Sequence, residues 1–289
     1  MNDRKQLVID KAHDLFIEKG FQATSLQEIL EYSGISKGTF YNYFSSKNEL
    51  LIAIFKNTFQ KIEKERHDLI AGKDPSDPEI LIRQIEIQMR TNREHNLIPL
   101  YEEVFFSNDK ELKKFLEIGQ MRTLKWGYER FKDLFDESLH PYLLDATIML
   151  KGMLQQNIRY YVMTHGPKAN LLPVVRYSVK RIMKMVEEAG EAREQLIPPE
   201  ILEKWIPASR TEDLELRKNL YCVISKLKKL DCKQKDYIEK LDFIKDELLK
   251  SKAPRKFLID SVLSSLDYVG ENELSELKEL VENKFPEKE

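Results

Sequence analysis

Ten glycines and eleven prolines are spread thinly through 289 residues, and this sparse punctuation is the strongest constraint on the fold. Between the breaks, apolar residues recur every three or four positions, the period of an amphipathic helix rather than the alternation of a strand. Glycine and proline read as lying between these periodic segments rather than inside them, so the spacing predicts an all-α protein.

Val8, Ala12, Leu15 and Phe16 mark one face of a first helix over 4–19, stopped by Gly20. Thr24-Ser25-Leu26-Gln27 then reads as a capping box, with Thr24 as the cap and Gln27 reaching back, and opens a short helix to 32. Gly34 allows a sharp turn and Ser36 is a natural cap for a third helix. In that helix Ile35, Phe40 and Phe44 fall on one side, leaving Lys37, Thr39, Tyr41, Asn42, Tyr43 and Lys47 outward. Cations, hydroxyls, a phenol and an amide, with no carboxylate, suit phosphates and base edges.

Ser46-Lys47-Asn48-Glu49 is a second capping box and starts a fourth helix to about 69, marked by Leu50, Leu51, Ile54, Phe55, Thr58 and Ile62. Further helices are expected from Pro78 to about 93, from about 111 to 135, from Pro141 to Gly166, and from Pro173 to Gly190, with a short apolar segment at 97–106. Past Gly190 the texture changes. Pro198, Pro199, Pro207 and a lone Trp205 read as a linker with one anchored aromatic. Four helical patterns follow, led by Leu220, by Leu241, by Ile259 after Pro254, and by Leu277 after Gly270. The expected organisation is a DNA-facing domain over 1–47, a helical domain over 48–190 and a helical extension over 191–289.

Charge and chemistry narrow the function. Lysine and arginine number 47 against 49 acidic residues, so no global basic field draws nucleic acid and any attraction must be local. The extension carries an acidic surplus, 22 against 19. No charged-then-apolar leader and no run of ~18 apolar residues is present, so a membrane partner is not expected. Cys222 and Cys232 are the only thiols, which fits a reducing, cytoplasmic setting. The five histidines (13, 67, 95, 140, 165) have no metal-ligand spacing, and neither a phosphate loop nor a nucleophile elbow occurs. An enzyme, a metal and a cofactor are therefore not expected.

The ordered run Ala12–Ser25 followed by Gly34–Leu50, with Gly34-Ile35-Ser36-Lys37-Gly38-Thr39-Phe40-Tyr41-Asn42-Tyr43-Phe44 at its centre, closely resembles the TetR (tetracycline-repressor) family. The resemblance covers residues 4–55 and implies a homodimeric, all-helical transcriptional repressor whose helix-turn-helix binds a palindromic operator. Carried over position by position, it implies DNA contacts from Thr24, Ser25, Gln27, Ser36, Lys37, Gly38, Thr39, Tyr41, Asn42, Tyr43 and Lys47. Of these, Lys37 suits guanine, Gly38 a close backbone approach, and Tyr41 a thymine methyl and a phosphate.

The family also implies a small-molecule inducer, with hydrophobic or amphipathic compounds and efflux or lipid-related genes as the natural class. Apolar pockets with a few polar groups are the rule for such ligands. The candidates are Glu102, Phe105, Phe106, Met121, Trp126, Met149, Met153 and Tyr160. Leu144, Ile148, Val174, Val175 and Ile182 suit either a two-fold seam or the monomer core. The alternative function is a helical interaction protein whose C-terminal bundle recruits a partner, with DNA binding dependent on it.

Overall fold

The computed structural model describes residues 3–205, 208–230, 235–251, 254–266 and 271–285. Pro207, Cys232 and Gly270 lie outside them. Among the described residues every regular element is helical, as the periodicity predicts. The chain divides into two compact units, residues 1–65 with 75–202, and residues 66–74 with 203–289.

The first unit begins with α1 (Asp3–Lys19), α2 (Leu26–Ser33) and α3 (Lys37–Tyr43), followed by the long α4 (Lys47–Ile70). It continues through α5 (Pro78–Glu94), α6 (Leu97–Phe106), α7 (Lys110–Lys132), α8 (Leu143–His165) and α9 (Leu172–Ala192). One hydrophobic core joins Val8, Ala12 and Phe16 of α1 with Ile29, Phe40 and Phe44, and with Leu50, Leu51 and Phe55 of α4. That core also takes in Leu97, Leu100 and Val104 of α6 and Leu112 and Leu116 of α7. Helices α1–α4, α6 and the start of α7 thus share one core, which runs across the expected boundary at residue 47. A second core unites α5, α7, α8 and α9 through Leu81, Ile85, Phe131, Leu143, Leu150, Val175, Val179 and Ile182.

Several chain breaks behave as the sequence implies. Gly20 and Gly34 hold φ of 87° and 64°, Asp77 caps α5 with Pro78 at its first turn, and Gly166 ends α8. Others do not. Gly119, Gly127, Gly152 and Gly190 lie inside helices. At Gly127 a Cβ would lie 2.8 Å from Thr147 Cγ2, so the missing side chain lets α7 and α8 approach. At Gly190 a Cβ would run into Leu139 Cδ2. Gly190 therefore does not close α9, which runs to Ala192 and is capped by Arg193 at φ 55°. Gly127 and Gly190 are packing residues, a use that sequence punctuation does not distinguish from a stop.

Of the residues suited to seam or core, Leu144, Val174, Val175 and Ile182 are buried within one chain, and Ile148 is half-buried. The outer faces of α8 and α9 instead expose Tyr160 (60%), Met163 (72%) and Tyr177 (56%), together with Met149. Buried Arg130 of α7 is satisfied by Gln84 (Nε to Oε1, 2.9 Å), by the Pro75 carbonyl at 3.0 Å and by Asp133. A buried guanidinium left unpaired would cost several kcal/mol, on the order of ~3–5 for a broken buried ion pair.

The second unit is a bundle of α11 (Ala208–Leu230), α12 (Lys235–Lys250), α13 (Lys256–Ser264) and α14 (Glu271–Lys284), preceded by the short α10 (Ile201–Trp205). Its core is built from Leu220, Val223, Leu227, Leu241, Ile244, Ile259, Leu263, Leu277 and Val281, the stripes read from the sequence. The end of α4 belongs here as well. His67 stacks on the Tyr221 ring of α11, with centroids 5.0 Å apart and planes within 14°. Trp205 is 41% exposed rather than anchored; the buried residue of α10 is Leu202.

Candidate nucleic-acid interface

The interface rests on two caps. Ser25 heads α2, its Oγ accepting from Glu28 N at 3.2 Å while the Glu28 carboxylate accepts from Ser25 N at 2.8 Å. The cap is therefore one residue later than the Thr24 expectation, and Gln27 does not reach back. Thr24 is fully buried, and its hydroxyl donates to the Gly20 carbonyl at 2.7 Å, tying down the turn between α1 and α2. The Glu28 carboxylate is held down to about 2, first by the Lys19 ammonium at 2.7 Å and then by Ser25. Gln27, released from capping, donates to Glu31 at 2.7 Å.

Ser36 caps α3 as expected, accepting from Thr39 N at 3.1 Å, with the two hydroxyl oxygens 2.9 Å apart. Phe40 is the fully buried residue of α3 and pins the helix to the core. Lys37, Gly38, Tyr41 and Asn42 stand at the surface, while Thr39 and Tyr43 are half-buried. A shallow groove between α2 and the start of α3 brings Gln27 and Glu31 beside Ser36 and Lys37. Tyr41 stands edge-on to Phe40, 5.5 Å between centroids at 88°, so its hydroxyl end is carried outward on a supported ring. At Gly38 an added Cβ would meet only Ser36 Oγ at 3.9 Å. That is ordinary van der Waals contact, so no neighbour within the chain demands a glycine there.

Lys47 departs from expectation. It is half-buried, and its Nζ donates to the carbonyls of Phe21 and Thr24, each at 2.8 Å, while lying 4.5 Å from the Phe21 ring centroid. Burial pushes its ammonium below the ordinary lysine value. It acts as a clamp from the first turn of α4 onto the turn that precedes α2. Lys5 and Lys11, which spacing does not single out, lie over the rings of Phe44 and Tyr32 at 4.9 and 4.6 Å.

The contacts that sequence spacing misses come from far along the chain. Glu103 of α6 accepts from Phe21 N at 3.2 Å and from Gln22 N at 2.9 Å. Asn48 donates to Asp109, the cap of α7. The rings of His13 and His95 stack at 5.3 Å and 10°, and His13 Nε2 donates to the His95 carbonyl at 3.0 Å. In each pair the partners lie far apart in sequence, and no local pattern announces them.

Burial is the largest cause lowering both histidines below their ordinary value of 6.5. At His13 the bond to the His95 carbonyl opposes it first, then Asp14 and Asp10; at His95, His13 and Lys61 reinforce it while Glu94 and Glu65 oppose. The folded chain favours the neutral rings, so the unfolded chain binds the extra proton as pH falls below 6.5. This part of the stability is present above 6.5 and is lost on acidification below it. The melting temperature is expected to fall between pH 7.5 and 5.5, and to fall less in His13→Phe, which keeps the ring but cannot titrate. Equal slopes for the two proteins would show that the pair does not sense pH.

The ligand candidates are not gathered at one place. Phe105 and Phe106 point outward, 69% and 81% exposed, and Glu102, Met149 and Tyr160 are exposed too. Trp126 and Met153 pack against the core of α5, α7, α8 and α9, and Met121 against a smaller cluster with Leu124, Leu144 and Leu202. Among the described residues no group of three or more His, Cys, Asp or Glu side chains is placed to hold a metal ion. Among them, too, no helix is long and apolar enough to cross a membrane.

Comparison with known proteins bears on this arrangement. Residues 8–54 match the family described as bacterial regulatory proteins, tetR family. The uncharacterized HTH-type transcriptional regulator YerO of Bacillus subtilis is 30% identical over 294 residues, spanning 97% of this chain and 96% of that protein. The uncharacterized HTH-type transcriptional regulator YuxN of the same organism is 26% identical over 161 residues, 54% of each. Among solved structures, the TetR family regulator PfmR of Thermus thermophilus covers 61% of this chain and 97% of its own at 24% identity, with a TM-score of 0.41. The helix-turn-helix, with its outward set on α3, and the near full-length match lead to one conclusion: this chain belongs to the TetR family of transcriptional regulators.

Proposed function

We propose that the protein is a homodimeric repressor that reads a palindromic operator through α3 and is released by a small hydrophobic or amphipathic ligand. The observation that carries the DNA reading is the exposed set of Lys37, Gly38, Tyr41 and Asn42, on a helix whose buried residue is Phe40. A short helix of this kind fits the major groove, with its early residues nearest the base edges. Ser25, Gln27 and Ser36 flank it from α2 and the turn; Thr39 and Tyr43 serve phosphates from its sides. Thr24 and Lys47 support the reading helices from inside.

A palindromic site requires two reading helices about 34–36 Å apart or a related spacing. The exposed stripe of Met149, Tyr160 and Met163 on α8, beside Tyr177 on α9, supports an isologous seam between two copies. Tyr160→Glu with Tyr177→Glu is expected to halve the mass seen by light scattering and to abolish operator binding. A variant that stays dimeric would refute the seam.

For the ligand, the supporting feature is the set of half-buried Met89, Met153, Met183, Met185 and Trp126, all packed against the core of α5, α7, α8 and α9. Flexible thioethers adapt to apolar molecules of varied shape. Efflux or lipid-handling genes are the matching class of target. Ligand binding would favour a state in which the two α3 helices no longer match the operator spacing.

The test is fluorescence anisotropy with DNA from upstream of the protein's own gene, against unrelated DNA, over a salt series. Preference for the upstream fragment with a steep salt dependence is expected, because phosphate neutralisation releases counterions. Equal affinity for both DNAs would overturn the operator reading.

A further inference from the structure

Residues 20–24 form the turn that delivers the chain from α1 to the cap of α2, and two opposite charges hold it from two sides. Lys47 of α4 takes the carbonyls of Phe21 and Thr24. Glu103 of α6 takes the amides of Phe21 and Gln22, which lie past the end of α1 and gain from its carboxylate the acceptor the helix no longer supplies. Gly20 is fitted to this grip twice over. Its φ of 87° suits a residue without a side chain, and a Cβ there would stand 3.0 Å from Glu103 Oε1.

Glu103 is itself rigidly carried. Leu97, Leu100 and Val104, on the adjoining stripe of α6, are fully buried in the core shared with α1–α4. The head of α6 is set by Asn96 at φ 46°, next to the His13–His95 stack. The carboxylate therefore reports the position of α6 to the turn, and the turn leads through Ser25 into α2 and α3. Charge-assisted bonds of this type are short and directional, which suits them to fixing position.

We propose that Glu103 is a positioning residue for DNA recognition, the link through which α6 sets the placement of α2 and α3. The proposal rests on the DNA reading above. Glu103 touches no base or phosphate in this role; its effect is on where Lys37 and Tyr41 are held when they meet the groove.

Glu103→Gln in the full-length protein supplies the test, because glutamine offers one acceptor and turns a donor toward the second amide. Affinity and its salt slope are measured with the upstream DNA fragment and with poly(dI-dC) as the non-specific DNA. Affinity for the upstream fragment is expected to fall about tenfold while affinity for poly(dI-dC) and the salt slope stay unchanged, since base readout depends on register and phosphate contact does not. In the free protein, 15N shifts are expected to change across 37–43 as well as at 20–25. A merely structural clamp would weaken both DNAs in parallel or confine the shift changes to 20–25, and either result overturns the proposal. A rise in affinity for both DNAs with a steeper salt slope would show only a repelling charge removed, and also overturns it. If the wild type fails to prefer its upstream DNA, the operator reading fails separately, and the 37–43 shifts still decide the role of Glu103.

Discussion

Replacing Lys37 and Tyr41 together by alanine is expected to weaken operator binding by about 100-fold without unfolding the protein. Both side chains are exposed, and the Tyr41 ring meets Phe40 edge-on. Surface substitutions of this kind shift stability by about 0.5 kcal/mol or less, and alanine is the best helix former, so α3 should persist. A well-made base contact is worth ~1–3 kcal/mol, so losing two reading side chains reaches about two orders of magnitude. If one of them also neutralises a phosphate, the salt slope drops by about 1. Anisotropy on the upstream fragment, with circular dichroism and light scattering as controls, reads all of this. Unchanged affinity in a folded dimer would remove α3 from the interface.

Phe40→Ala reaches the same loss of binding by the opposite route. Phe40 is 0% exposed and joins α3 to the core formed with α1, α4 and α6. Truncating a buried phenylalanine costs ~3–5 kcal/mol through lost burial and the cavity left behind. Because α3 has no other fully buried residue, the deficit falls on the short reading helix. Urea titration should show a lower midpoint, and amide exchange over 37–43 should accelerate beyond that of α8 and α9. Phe40→Leu should restore part of the midpoint. A loss below about 1 kcal/mol in Phe40→Ala would mean that other contacts hold α3 in place.

The contrast between these variants explains what is legible in the sequence. Helical period, the Ser36 cap, the start at Pro78 and the buried stripes are local properties, and the folded chain reproduces them. The capping box at α2 reads one residue early because Thr24 and Ser25 are both competent caps. Only the tertiary tie from Thr24 to Gly20 decides between them. Lys47 has the position of a phosphate ligand because spacing shows which face a residue occupies, not which carbonyls lie within reach. Glu103 sits beside Glu102 in an apolar segment, and nothing in that pair of glutamates indicates that one binds a turn far earlier in the chain. Gly190 reads as a stop because its partner, Leu139, is brought to it only by folding.

The division of α4 has a consequence for how such a gene can change. Residues 47–65 fall in the first unit and 66–70 in the second, where His67 meets Tyr221. The C-terminal bundle is therefore not a cassette that recombination can append or remove at one junction. A fragment beginning at 203 lacks 66–74, and a truncation at 202 strips the same residues of their neighbours. The alignment with YerO runs over 97% of the chain and so spans both parts together.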